Sequence, residues 1–209
     1  VGVTLDGRTI AVTGAGARLA DGIAAALVAA GANVLAGVER VSTRLDGVVH
    51  AAMPAIAYER VPFHEVDDAR WDAVWEQTMR DAISVLQGGY RAMREGGGAF
   101  VFITPVVGMS GAAELGPYSA AVEGVRLLAK SAARQWGPDG IRVNCLAPAP
   151  EHVPIGVESG ALALSPPALG GPGDIEADLG PIVTWLLSDD AHFVTGVTLC
   201  ADGGVWMAP

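Results

Sequence analysis

The sequence predicts an α/β fold, a parallel sheet with helices on both faces, and three observations lead there. Short β-rich apolar runs alternate with helical patterns along the 209 residues. The first strand, helix and strand follow at the spacing of a βαβ unit, which implies right-handed crossovers. The 28 glycines, 13 prolines and many alanines supply small residues where helices pack closely on a sheet.

Residues 9–12 read as the first strand. The turn Thr13-Gly14-Ala15-Gly16 follows, then a helical pattern through Ala30 that Gly31 ends. Residues 33–37 and 47–51 read as the next two strands. A segment interrupted by Pro54 and Pro62 precedes a long helix that Asp67 or Asp68 can cap, with Trp71, Val74, Trp75, Thr78, Met79, Ala82 and Ile83 at helical spacing. Gly96–Gly98 turn the chain into a strand at 99–103, and a glycine-containing loop leads to a helix over 116–136. Gly137-Pro138-Asp139-Gly140 then turns into a strand at 141–146. Residues 147–173, rich in Pro, Gly and Ala, form one long irregular segment of the kind that serves as a lid. A helix at 175–187 and a strand at 197–201 complete a single domain, 1–209.

Composition excludes several functions. With 51% hydrophobic and 17% charged residues the chain is globular. A net charge of −10 without a basic cluster excludes phosphate-backbone binding, so no nucleic acid is expected. Apolar runs are too short to span a bilayer and no leader pattern opens the chain, so a cytoplasmic protein without membrane contact is expected. Cys145 and Cys200 read as buried structural thiols, and the four scattered histidines give no metal-ligand spacing.

Gly140-Ile-Arg-Val-Asn144, Ala147-Pro148, Phe193-Val-Thr-Gly196 and Asp202-Gly-Gly204 stand in the order and spacing of the late strands of the short-chain dehydrogenase/reductase family. The chain resembles that family over essentially its whole length. The resemblance implies a Rossmann-type doubly wound sheet, NAD or NADP, and hydride transfer between a carbonyl and an alcohol. It also implies assembly into dimers and tetramers through the two long helices and the last strand. Between Val38 and Leu45 the chain passes almost directly into the next strand, where the family has a helix, a strand and the start of another helix. The sheet is therefore expected to be one strand short, with residues 33–37 at its edge.

The family's functional motifs carry over poorly. Of Thr-Gly-x-x-x-Gly-x-Gly, Thr13 and Gly14 match, while the later glycines fall on Arg18 and Ala20. Those glycines let the backbone approach a pyrophosphate. Gly16 adds flexibility, and Arg18 either blocks the phosphate or grips it. The ribose position is Val38, with Glu39 and Arg40 just beyond. His50-Ala51-Ala52-Met53 replaces Asn-Asn-Ala-Gly, and His50 is either a ligand contact or a satisfied strand-end histidine. The catalytic asparagine, serine and lysine positions hold Thr78, Pro105 and Val122. Thr104 and Ser110 are the nearby hydroxyl substitutes, and Lys130 and Arg126 lie on later turns. Only Tyr118 keeps its catalytic identity.

Proline has no side-chain donor to polarise a carbonyl, and without an adjacent cation a tyrosine titrates near pH ~10. The leading expectation is a catalytically silent member that binds no cofactor and serves as the structural subunit of an oligomer, one formed with an intact relative. Two alternatives stand beside it. One is an NAD- or NADP-dependent oxidoreductase using Arg18 on phosphate, Thr104 or Ser110 as donor and Tyr118 as acid. The other is a small-molecule binding module with residues 151–173 as its lid.

Overall fold

The computed structural model describes residues 3–38, 44–156 and 166–207. Its strands are β1 (Thr9–Thr13), β2 (Asn33–Ala36), β3 (Gly47–His50), β4 (Gly98–Ile103), β5 (Ile141–Pro148) and β6 (Thr198–Ala201). Among the described residues they form one six-stranded sheet in the order β2-β1-β3-β4-β5-β6, every pair parallel. The helices α1 (Arg18–Ala29) and α5 (Gly180–Leu187) cover one face. On the other lie α2 (Asp68–Met93) and α4 (Gly116–Trp136), with a short α3 (Val107–Ser110) at the strand ends. From β1 the chain winds first to β2 on one side and then to β3 on the other. The crevice at that reversal lies beyond the carboxyl ends of β1 and β3, where ligands of such sheets bind.

Alternate residues of β4 show why both helical layers form. Ala99 and Val101 join the core under α1 and α5, whereas Phe100 and Phe102 join the core under α2 and α4. The end of α1 is set by Gly31 at φ +91°. Its N–H donates to the Val28 carbonyl and that of Ala32 to the Leu27 carbonyl, the paired pattern that closes a helix on a left-handed residue. At the start of α2 the Asp67 carboxylate accepts the Arg70 N–H at 2.8 Å, which settles the choice of cap.

The shortened connection after β2 changes the packing behind it. Val38 is buried in the core that α2 covers, against Gly88 of that helix, instead of reaching toward a nucleotide ribose. Glu39 and Arg40 lie outside the described residues. Most strand ends shift by one residue from the sequence expectation, and three differences are larger. The loop after β4 contains α3, strand β5 runs two residues further to Pro148, and the helix at 175–187 opens as a π-helical turn (Ile175–Leu179).

The late family motifs have a visible structural purpose. Asn144 is wholly buried, its side-chain N–H donating to the Val194 carbonyl at 2.9 Å and its oxygen accepting the Val197 N–H. Thr195 accepts the Val143 N–H through its hydroxyl at 3.0 Å, and Gly196 donates to the Val143 carbonyl at 2.8 Å. Asp202 accepts the N–H groups of Gly204 and Trp206. Asn144→Ala removes two part-buried hydrogen bonds to the backbone and leaves a small gap in the core, so denaturant unfolding should show a loss of about 1–2 kcal/mol.

Of the two cysteines, Cys145 is buried and Cys200 only half-buried, and neither is in a disulfide. Burial pushes the Cys145 thiol up to about 11 and raises that of Cys200. A maleimide at pH 7 should therefore label Cys145 only after unfolding, a result mass spectrometry reads directly.

Candidate functional site

At the switch point a cleft of about 510 Å³ opens between the first turn, the exits of β3 and β4, Tyr118 on α4, and residues 151–154 after β5. Its walls are mostly apolar, among them Leu19, Met53, Ile103, Pro105 and Val153. Cavities of this size hold small organic ligands.

At the end beside β1, Gly14 is held at φ +92°, and a Cβ there would lie 2.9 Å from the Ala51 carbonyl oxygen. Only glycine lets the first turn approach the β3 exit so closely. Gly16 and Arg18 also reach the cleft, and Arg18 is exposed as the first residue of α1. The preceding residue, Ala17, provides no side-chain cap. The Gly16 N–H instead donates to the Asp21 carboxylate at 2.9 Å, so an anionic side chain occupies a loop donor that a phosphate would use. Thr13 and His50 are absent from the cleft wall. They share a buried hydrogen bond of 2.7 Å with each other, and burial lowers the His50 pKa to about 4. His50 is thus a satisfied strand-end histidine in a neutral ring.

The other end contains the family's catalytic positions. Tyr118 is fully buried in an apolar cluster with Val74, Val107, Leu115, Ala121 and Val122. Its hydroxyl has no hydrogen-bond partner. Burial, then the neighbouring Tyr58, raise its pKa above the ordinary phenol value, so it stays protonated. Val122 is 2% exposed and lies under α3, where a Cβ on Gly108 would run into it. Thr78 turns its hydroxyl back onto the Val74 carbonyl of its own helix at 2.7 Å. Pro105 lines the cleft. Neither hydroxyl substitute reaches it. Thr104 is buried beside Cys145, and Ser110 donates to the Gly111 carbonyl. Arg126 is paired with Glu123 one turn back on α4.

Three polar wall residues had no role of their own in the sequence reading: Tyr58, and Glu151 and His152 at the start of the segment expected as a lid. The Tyr58 ring lies 5.8 Å from that of Tyr118. His152 is buried with its Nε2 against the Pro172 carbonyl at 2.8 Å, while its Nδ1 is unpartnered. Their polar character in a Pro-flanked loop was the only available signal.

A nicotinamide dinucleotide does not fit these residues well. The loop meets its phosphates with the Asp21 carboxylate, and the ribose position after β2 is filled by the buried Val38. The ring end has Val122 and Pro105 in place of a cation and a hydroxyl. Among the described residues lining the cleft, Arg18 is the one cationic side chain that favours an anion.

Comparison with known proteins fixes the ancestry. A family model described as enoyl-(acyl carrier protein) reductase matches residues 28–206, starting beyond the altered first turn. The chain is 34% identical over 175 residues to the cis-4-hydroxycyclohexanecarboxylate dehydrogenase of Sinomonas cyclohexanicum, covering 75% of this chain and 64% of that protein. It is 30% identical over 169 residues to the cyclopentanol dehydrogenase of a Comamonas species, covering 78% and 66%. The chain thus spans just under two thirds of the first of these relatives. A short-chain type dehydrogenase/reductase from Mycobacterium ulcerans superposes with a TM-score of 0.82 at 26% identity, over 96% of this chain and 90% of that one. A candidate NAD(P)-dependent gluconate 5-dehydrogenase from Beutenbergia cavernae, solved with NADP at low occupancy, gives 0.81 at 25% identity over 98% of each chain. With its parallel sheet, its late-strand hydrogen bonds and its Tyr118 in place, the chain belongs to the short-chain dehydrogenase/reductase family.

Proposed function

We propose that this chain is a non-catalytic family member that acts as a structural subunit beside a catalytically intact relative. The observation that carries this reading is the state of Tyr118. Its hydroxyl is buried in an apolar cluster without a partner, and no cation among the described residues acts to lower its pKa. Positioned acid–base catalysis contributes on the order of 10²–10⁴-fold, and this site lacks both the tyrosinate-stabilising charge and the second donor. Titration of NADH and NADPH fluorescence against the isolated chain tests it. No saturable binding is expected, and micromolar binding of either would overturn the simple form of the reading.

A surface stripe supports the partner half of the proposal. Along α2, Trp71, Trp75, Met79 and Ile83 recur every four residues, and all but the half-buried Met79 are exposed. Trp71 and Trp75 stack at 6.3 Å, and Trp75 and Met79 border Gly124 of α4, with Leu127 exposed one turn on. An exposed apolar stripe across two helices suits a second chain of the same fold. Light scattering should report a mixed oligomer when an intact relative is co-expressed. A chain that runs alone as a homo-oligomer would contradict the heteromer.

The second reading, turnover of an alcohol with NAD or NADP, draws on the dehydrogenases among its relatives and on Tyr118 lining the cleft. Among the described residues no helix is long and apolar enough to cross a membrane. The unpaired thiols suit the reducing cytoplasm that the proposal includes.

A further inference from the structure

At the amino ends of the parallel strands, opposite the cleft, a second cavity of about 410 Å³ gathers charged residues that are far apart in sequence. Arg8 precedes β1, Arg44 and Asp46 precede β3, Arg142 lies in β5, and Asp189 follows α5. With His192 neutral, three guanidiniums against two carboxylates leave the walls one positive charge in excess, in a chain of net charge −10. Both carboxylates are engaged. Asp189 pairs with Arg8 at 2.5 Å, and Asp46 pairs with Arg44 at 3.3 Å while accepting the Thr9 N–H at 2.8 Å. Arg142 has no carboxylate at ion-pair distance among the described residues, and donates instead to the Ser188 and Val194 carbonyls at 2.9 and 3.4 Å. Carbonyls engage part of its donor fork but leave the charge unneutralised. Arg142 is half-buried, and burial lowers its pKa, an effect that nearby Asp189 opposes and Arg8 reinforces.

A glycine makes room for Arg44 on the opposite wall. Its guanidinium lies over Gly96, where a Cβ would come within 2.5 Å of Nε, and it donates to the Gly96 carbonyl at 3.1 Å. Gly97 and Gly140, both at φ +71°, bring bare backbone to the same cavity. We infer that this cavity binds a small molecule through an oxyanion, a carboxylate or a phosphate, held by Arg142 and Arg44. The anion supplies the counter-charge that Arg142 lacks, and guanidinium forks match either group with paired hydrogen bonds. The site lies at the other end of the sheet from the cleft and stands independently of the non-catalytic reading.

NMR of the protein labelled with ¹⁵N-arginine tests it with inorganic phosphate and with acetate, sodium chloride holding the ionic strength constant. Saturable shifts of the Arg142 and Arg44 Nε–H signals are expected with at least one of the two anions, and the one that saturates identifies the oxyanion. Arg44→Gln removes a guanidinium, whereas Gly96→Ala keeps every charge and displaces Arg44. Both should weaken binding about tenfold. Arg44 is largely exposed, so both variants should keep the wild-type melting temperature. Gly96→Ala separates a built site from a general attraction of anions to positive charge. The inference is overturned if neither anion saturates, if chloride alone reproduces the shifts, or if either variant binds as tightly as the wild type. NADH titration reads the opposite end of the sheet, so its result leaves this site standing or falling on its own.

Discussion

Val122→Lys, which restores the family's lysine to its helix position, is expected to destabilise the protein by about 3 kcal/mol or more at pH 7 and to bring no hydride-transfer activity. Val122 is 2% exposed, on an α4 face closed by α3 and the Tyr118 cluster. An ammonium there loses its hydration, and a buried lysine responds by lowering its pKa. The unfolded chain then holds the proton more tightly than the folded one, so the penalty shrinks as pH rises toward ~10. Val122→Met is the control: similar reach without charge should cost less than about 1.5 kcal/mol. Denaturant unfolding of both variants at pH 7 and pH 9.5 checks size against charge. A stable Val122→Lys protein with NADH-dependent activity would mean that the site reopens readily.

The second large effect is acid sensitivity centred on His50. The folded ring takes a proton only near pH 4, because burial opposes its charge, whereas in the unfolded chain it does so near ~6.5. Falling pH therefore favours the unfolded state. Stability is fully present above about 6.5 and is lost progressively down to about 4, with this one group contributing about 3 kcal/mol. His50→Asn should keep a polar partner for Thr13 and flatten the pH dependence between those limits. An unchanged slope in the variant would assign the acid transition elsewhere.

The sheet was legible because its signals are periodic and repeated. Apolar runs marked each strand, Gly31 and Gly140 marked the turns, and Gly116 to Trp136 emerged with the bounds the sequence predicts. The short connection at 38–45 told correctly of a missing strand, since the count of residues left no room for one. The site was less legible, because its chemistry depends on direction and not on identity. Thr13 and His50 stand beside the cleft yet satisfy each other, and Thr104 and Ser110 have the right atoms facing elsewhere. Asp21 was invisible as a partner for Gly16, since a carboxylate four residues into a helix reads as ordinary helix-start charge. His152 gained meaning only when Pro172, distant in sequence, fixed which ring nitrogen donates.

All of this turns on one oxygen. Tyr118 retains its family position, but its hydroxyl is buried among Val74, Val107, Leu115 and Val122 without a partner. Such a group costs about 1–3 kcal/mol relative to hydration, partly offset by the packing its volume provides. Equilibrium unfolding of Tyr118→Phe measures it directly. A stability equal to that of the wild type, or up to about 1 kcal/mol higher, is expected from a hydroxyl stranded in apolar packing. A loss of about 1 kcal/mol or more would contradict this, because it would mean that the hydroxyl is hydrogen-bonded in solution and that the catalytic end of the cleft is still polar.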